Sequence, residues 1–165
     1  MLKPLEPEKF LVCSNHISEA EAYAASMEKV SIEKLFANSD VIFLLAGLNN
    51  QTRDRVDASL LASIKDGAVL VNAGRGSLVR EDALAEELKK NRFTAVLDVF
   101  QQEPLPPESP LLNMPNVILT PHNAGYPSRG RYVITILEEF DRYFKGEPLK
   151  YPVNQEKVKF MTVNN

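Results

Sequence analysis

The stretch Asp66-Gly67-Ala68-Val69-Leu70-Val71-Asn72-Ala73-Gly74-Arg75-Gly76 decides the fold. Asp66-Gly67 is a turn that ends the helical segment before it, and Ala68 to Val71 is an apolar run with no polar residue to mark a wet face. Such a run predicts a strand buried on both sides, the habit of strands in a parallel sheet covered by helices. The turn Asn72 to Gly76 then leads to a helix predicted over Glu81–Lys90, with Leu84 and Leu88 on its buried face.

The same alternation continues in both directions. Upstream, Phe10-Leu11-Val12-Cys13 is a first strand candidate, followed by a helix over Ser18–Met27 in which Ser18 and Glu21 have capping-box spacing. Ser31 is placed to cap a helix running to Asn38, with Ile32, Leu35 and Phe36 on one face. Val41–Leu45 reads as a second strand and Asp57–Lys65 as a helix. Downstream, Thr94–Leu97 and Val117–Leu119 are the fourth and fifth strands, and prolines at 104, 106, 107, 110 and 115 exclude a regular element between them. A long helix is predicted over Ser128–Lys145, where Val133, Ile136, Leu137, Phe140 and Phe144 recur at helical spacing and Gly146 is placed to end it. No repeat or linker divides the chain. The fold class expected is α/β, a single doubly wound parallel sheet.

Composition narrows the function classes. The chain has 165 residues and a formal charge of -3 with both signs interspersed, which argues against a nucleic-acid partner, since phosphate binding needs a concentrated basic face. One cysteine, Cys13, excludes an internal disulfide and a cysteine-based zinc cluster, and no metal site is expected. The longest apolar run, Val41 to Ala46, has the length of a strand and not of the ~20 residues that span a bilayer. The start, Met1-Leu2-Lys3-Pro4-Leu5-Glu6, lacks the apolar core of a secretory signal, so a cytoplasmic protein is expected.

In a sheet of this kind ligands sit at the carboxyl ends of the strands. Arg75 follows the third strand, Asp98 and Glu103 the fourth, and Thr120-Pro121-His122-Asn123-Ala124-Gly125 the fifth. Taken singly, each has an ordinary structural explanation as a solvated loop residue. Together, an arginine, an acid and a histidine beyond successive strands suit reduction of a 2-keto acid. The arginine would hold the carboxylate, the histidine would donate a proton to the developing alkoxide, and the glutamate would hold the imidazolium. A nicotinamide would supply the hydride.

These pieces, in this order and spacing, resemble the D-isomer-specific 2-hydroxyacid dehydrogenase family: Asp66 to Val79, then Ala83-Leu84, Leu97-Asp98-Val99-Phe100, Glu103-Pro104-Leu105 and Asn116 to His122. The resemblance covers roughly Leu2 to Val153. It implies Arg75 as the substrate-binding arginine, His122 as the acid/base and Glu103 as its orienting partner. Asp98 would lie near the nicotinamide carboxamide, with Ala46, Gly47, Thr52, Ala73, Gly74, Ala124 and Gly125 beside the cofactor. It also implies NAD, with NADP open, a small 2-keto or 2-hydroxy acid as substrate, and a homo-oligomer, by analogy a dimer. Phosphoglycerate dehydrogenases and glyoxylate or hydroxypyruvate reductases belong to the same family, and Glu103 disfavours its formate branch.

The sequence departs from the family at its start. The glycine-rich turn that cradles a pyrophosphate is absent, and Leu2-Lys3-Pro4-Leu5 resembles the end of the helix that would follow it. A Rossmann-like domain missing its first strand–helix unit is therefore expected over 1–153, with 154–165 as a tail in which Val158, Phe160, Met161 and Val163 have no assigned packing. Loss of that central strand would leave two unpaired edges. Ser14 stands where the family usually places the ribose-binding Asp. On these grounds the chain is expected to be a fragment inactive by itself. The competing class is a non-catalytic dinucleotide-sensing or protein-interaction module of the corepressor kind.

Overall fold

A computed structural model describes residues 6–125 and 129–153, and the expectations placed on Leu2 to Leu5, on Ser128 and on the tail 154–165 lie outside them. In chain order the elements are β1 (Leu11–Val12), α1 (Glu19–Ala24), β2 (Glu28–Lys29), α2 (Ile32–Asn38), β3 (Val41–Leu44), α3 (Ala58–Ser63), β4 (Val69–Asn72), a 3-10 turn (Gly76–Leu78), α4 (Glu81–Leu88), β5 (Thr94–Leu97), a second 3-10 turn (Pro110–Asn113), β6 (Val117–Leu119) and α5 (Arg129–Lys145). Every strand pairing is parallel. β3-β4-β5-β6 form a four-stranded sheet, and β1-β2 form a separate two-stranded one. Among the described residues, β1 pairs only with β2 and β3 only with β4, so each keeps an unpaired edge.

Local chemistry sets the helix starts. Ser18 Oγ accepts the Glu21 amide at 3.2 Å while Glu21 accepts the Ser18 amide at 2.8 Å, completing the expected box. Ser31 accepts the Lys34 amide at 3.2 Å and Asp57 the Leu60 amide at 3.0 Å. Each cap contributes about 1 kcal/mol. Arg92 secures the other end of α3, donating to the carbonyls of Ile64, Ala62 and Leu61 at 2.7, 3.2 and 3.3 Å while pairing with Glu87 at 3.1 Å.

The core occupies one face of the four-stranded sheet. Ile42, Leu70 and Ala95 stand side by side in register, and Phe36 from α2, Leu60 and Leu61 from α3 and Leu84 and Leu88 from α4 pack over them. The opposite row, Phe43, Val71, Val96 and Ile118, is open to solvent: Phe43 is 40% exposed and Ile118 55%. The parallel α/β sheet is the expected one, and what differs is the cover on its second face, which is lacking among the described residues. An apolar run states what a strand favours energetically, whereas only the other elements of the chain decide whether a cover is present. In α5 the apolar stripe Val133, Ile136, Leu137, Phe140 and Phe144 is likewise more than half exposed at every position.

β2 was not expected, because Glu28 and Lys29 are exposed and carry no apolar signal. β1 pairs with β2 and not with the other strands. α3 stops at Ser63, so Asp66-Gly67, with Gly67 at φ 81°, shapes the turn into β4 and does not cap the helix. The proline-rich stretch does hold one short element, the 3-10 turn begun by Ser109 and Pro110, where proline's missing amide costs nothing.

Candidate active site

Three loops leave the carboxyl ends of β4, β5 and β6, and a buried polar residue anchors two of them. Asn72, the last residue of β4 and 2% exposed, accepts the Gly74 amide at 3.2 Å and donates to the Arg75 carbonyl at 3.1 Å. This folds the turn so that Arg75 is extended and exposed, with one guanidinium N–H on the Gly74 carbonyl at 2.7 Å. Gly76 then lies against the backbone after β5: a Cβ there would sit 1.9 Å from the carbonyl of Phe100. The contact admits only glycine and fixes the Arg75 turn against the segment that leads to Glu103.

On that segment Glu103 accepts the Phe100 amide through Oε1 at 3.1 Å, and its Oε2 meets His122 Nδ1 at 2.7 Å. Burial raises the Glu103 pKa, but hydrogen bonds from His122 and Phe100 and the charges of His122 and Arg75 outweigh it, and the carboxyl lies below its ordinary range. Gln101 braces the segment, donating its backbone amide to Glu81 Oε2 at 3.1 Å and its side-chain amide to the Val79 carbonyl at 2.9 Å.

His122 has φ 50°, a left-handed conformation, and its amide donates to the Thr120 carbonyl at 3.1 Å. Its Nδ1–H is committed to Glu103, and no hydrogen bond to Nε2 is present among the described residues. Nε2 is then the ring nitrogen without a hydrogen-bond partner among the described residues, able to donate when the ring is charged and to accept when it is neutral. Asp98, 6% exposed, accepts Thr120 Oγ1 at 2.5 Å and the amides of Asn123 and Ala124 at 3.0 and 2.9 Å. Burial raises its pKa, and the bonds from Thr120, Ala124 and Asn123 together with the His122 charge bring the net value below the ordinary range.

The residues expected beside a cofactor occupy the same ends of the strands. Ala46 and Gly47 are exposed just past β3, where Thr52 Oγ1 shapes the loop by donating to the Gly47 carbonyl at 2.8 Å. Ala73 donates its amide to the Leu44 carbonyl at 3.3 Å, and Gly74 is packed so tightly that a Cβ would come within 2.9 Å of the Ala46 carbonyl. Ala124 and Gly125 are exposed, with open space around Gly125. Ser14 follows β1, its hydroxyl accepting the His16 amide at 3.1 Å. Sequence reasoning passed over Asn72 and Thr120 as site-shaping residues. The available signal was a hydrogen-bonding side chain ending an otherwise apolar run.

Among the described residues no helix is long and apolar enough to cross a membrane, and no group of three His, Cys, Asp or Glu side chains is placed to hold a metal ion.

Comparison with known proteins places this geometry in context. Residues 1–124 match the model of the D-isomer specific 2-hydroxyacid dehydrogenase NAD binding domain. The chain is 39% identical over 136 residues to a glyoxylate reductase of Korarchaeum cryptofilum, covering 81% of this chain and 41% of that protein. It is 40% identical over 118 residues to glyoxylate/hydroxypyruvate reductase B of Pectobacterium atrosepticum, covering 71% and 37%. The chain thus spans about two fifths of the length of these relatives. In structure it is similar to the D-mandelate dehydrogenase of Rhodotorula graminis, with TM-score 0.77, 29% identity and coverage of 89% and 44%. A D-isomer specific 2-hydroxyacid dehydrogenase from Xanthobacter autotrophicus, crystallised with NADPH and MES, gives TM-score 0.72 at 30% identity, covering 89% and 60%.

Proposed function

The chain belongs to the D-isomer-specific 2-hydroxyacid dehydrogenase family, and from that premise we propose that Arg75, Glu103 and His122 form the substrate-side machinery of a 2-keto acid reductase. The observation that carries the proposal is the 2.7 Å contact between His122 Nδ1 and Glu103, which leaves Nε2 for the substrate oxygen. A nicotinamide dinucleotide, when bound, supplies the hydride to the keto carbon. Arg75 binds the substrate carboxylate with its planar donors and draws electron density toward the keto oxygen. His122 in its charged form delivers the Nε2 proton to that oxygen as it becomes an alkoxide, and Glu103 keeps the resulting ring in one tautomer and orientation. In the oxidative direction the neutral ring accepts the proton at the same atom.

Ala46, Gly47, Ala73, Gly74, Ala124 and Gly125 would hold the nicotinamide end, Thr52 would keep its loop in shape, and Ser14 would meet the adenine ribose. Ser14 brings neither a carboxylate to repel a 2′-phosphate nor a guanidinium to attract one, so both NAD and NADP are accepted in the proposal. Glyoxylate and hydroxypyruvate are the first substrates to try, from the names of the relatives. Residues 1–153 act as part of a dinucleotide-binding domain and 154–165 as a tail, in a cytoplasmic homo-oligomer with no nucleic-acid or membrane partner.

The test is a titration of the chain into NADH and NADPH, read by the cofactor's own fluorescence, which the absence of tryptophan leaves uncluttered. Saturable binding that survives His122→Asn but is lost on replacing Gly74 with leucine supports the cofactor placement. Binding indifferent to Gly74→Leu removes it.

A further inference from the structure

The carboxylate of Asp98 is almost wholly enclosed, 6% exposed, and it is surrounded by donors alone. Oδ1 accepts the Thr120 hydroxyl at 2.5 Å and the Asn123 amide at 3.0 Å, and Oδ2 accepts the Ala124 amide at 2.9 Å. Those donors flank His122 on both sides, and His122 itself is held at φ 50°, a conformation side-chain-bearing residues seldom adopt. Asp98 also roots the other half of the pair, since Val99 and Phe100 follow it directly and the Phe100 amide holds Glu103.

We infer that Asp98 is a positioning residue for His122: its carboxylate gathers the loop Thr120–Ala124 and thereby sets the direction from which the imidazole meets Glu103. The role explains why an acid is required there. At the end of β4 the residue that anchors the next loop is Asn72, which must both donate and accept, to the Arg75 carbonyl and from the Gly74 amide, and an amide serves it. Asp98 faces only donors, and an amide in its place would turn an NH2 group against a backbone N–H. The inference makes Asp98 an anchor of the acid/base loop first, where family resemblance placed it beside the nicotinamide. It rests on the proposed role of His122 only for its functional meaning, because the geometry is read without turnover.

The experiment uses the 165-residue chain labelled with 15N in a His16→Gln background, so that His122 is the sole imidazole. Two signals are followed: the downfield Nδ1 proton of His122 and the exchange rates of the Asn123 and Ala124 amides. In Asp98→Asn the Nδ1 proton signal is lost and both amides exchange at least about tenfold faster, while the Leu70 and Ala95 amides in the sheet stay within about twofold. Glu103→Gln removes the Nδ1 signal without changing exchange at Asn123 and Ala124, which separates the anchor from the partner. Where Asp98→Asn does not fold, Thr120→Val gives the same pattern in weaker form and Thr120→Ser restores it. Retention of both signals in Asp98→Asn or Thr120→Val overturns the inference, as does equal acceleration at Leu70 and Ala95. Failure of 2-keto acid reduction would count against the proposed function and leave these readouts intact.

Discussion

Replacing Gly76 with alanine puts a methyl group where the backbone of the next loop already stands. The added Cβ would lie 1.9 Å from the C and O atoms of Phe100 and 2.5 Å from the Gln101 nitrogen. Ordinary contact begins at 3.4 Å, so Phe100 must retreat by about 1.5 Å, through packing that yields little. Overpacking of this kind costs about 1–3 kcal/mol. Retreat also breaks the 3.1 Å bond from Phe100 to Glu103 and one bond of Gln101, at about 1 kcal/mol each. The total is about 3–5 kcal/mol, and at about 2–4 °C per kcal/mol for a chain of this size Tm falls by about 10 °C. Circular dichroism melts of Gly76→Ala against wild type read the loss, with Gly130→Ala as control, since a Cβ at Gly130 meets nothing within 4 Å. A Gly76→Ala melt within about 2 °C of wild type would show that the Arg75 turn and the Glu103 segment are not locked together.

Arg92→Ala removes the cap on the α3 carbonyls and one partner of Glu87; a loss of about 2–3 kcal/mol in urea unfolding is expected, with Arg92→Lys recovering only part because one ammonium cannot span the same carbonyls. Leu70→Ala, at a position 0% exposed, costs about 2–5 kcal/mol, whereas Val71→Ala on the open face costs about 1 kcal/mol. Equal losses would contradict the one-sided core. The folded-state pKa of Glu103 lies below its ordinary value of 4.5, so stability from the Glu103–His122 contact is fully present above that value and is lost as pH falls through the lower folded one. Carboxyl 13C shifts should therefore show Glu103 ionised at pH 4.5, and a midpoint above 4.5 would refute the assignment.

Much of this was legible in the sequence because it is local. Ser18 with Glu21, Ser31 and Asp57 announce helix starts through bonds made within three residues, and Val69-Leu70-Val71 announces β4 by its composition alone. The meeting of Glu103 with His122 was foreshadowed by their places beyond neighbouring strands, since strand ends in a parallel sheet point to one side. What was not legible depends on distant partners. Glu28-Lys29 becomes a strand only because β1 lies beside it. Phe43 and Ile118 look like core residues and remain uncovered, since no element among the described residues packs on their face. Asp98 reads as a carboxylate at a strand end, and its three donors come from residues at least 22 positions away.

The most direct test of the central claim is NADH or NADPH oxidation with glyoxylate and hydroxypyruvate by the protein as its gene encodes it. Wild type is compared with His122→Asn and Glu103→Gln. The account predicts turnover that falls by about 10²–10⁴ in His122→Asn, with a smaller loss and a shifted pH profile in Glu103→Gln. Turnover that His122→Asn leaves unchanged would contradict it.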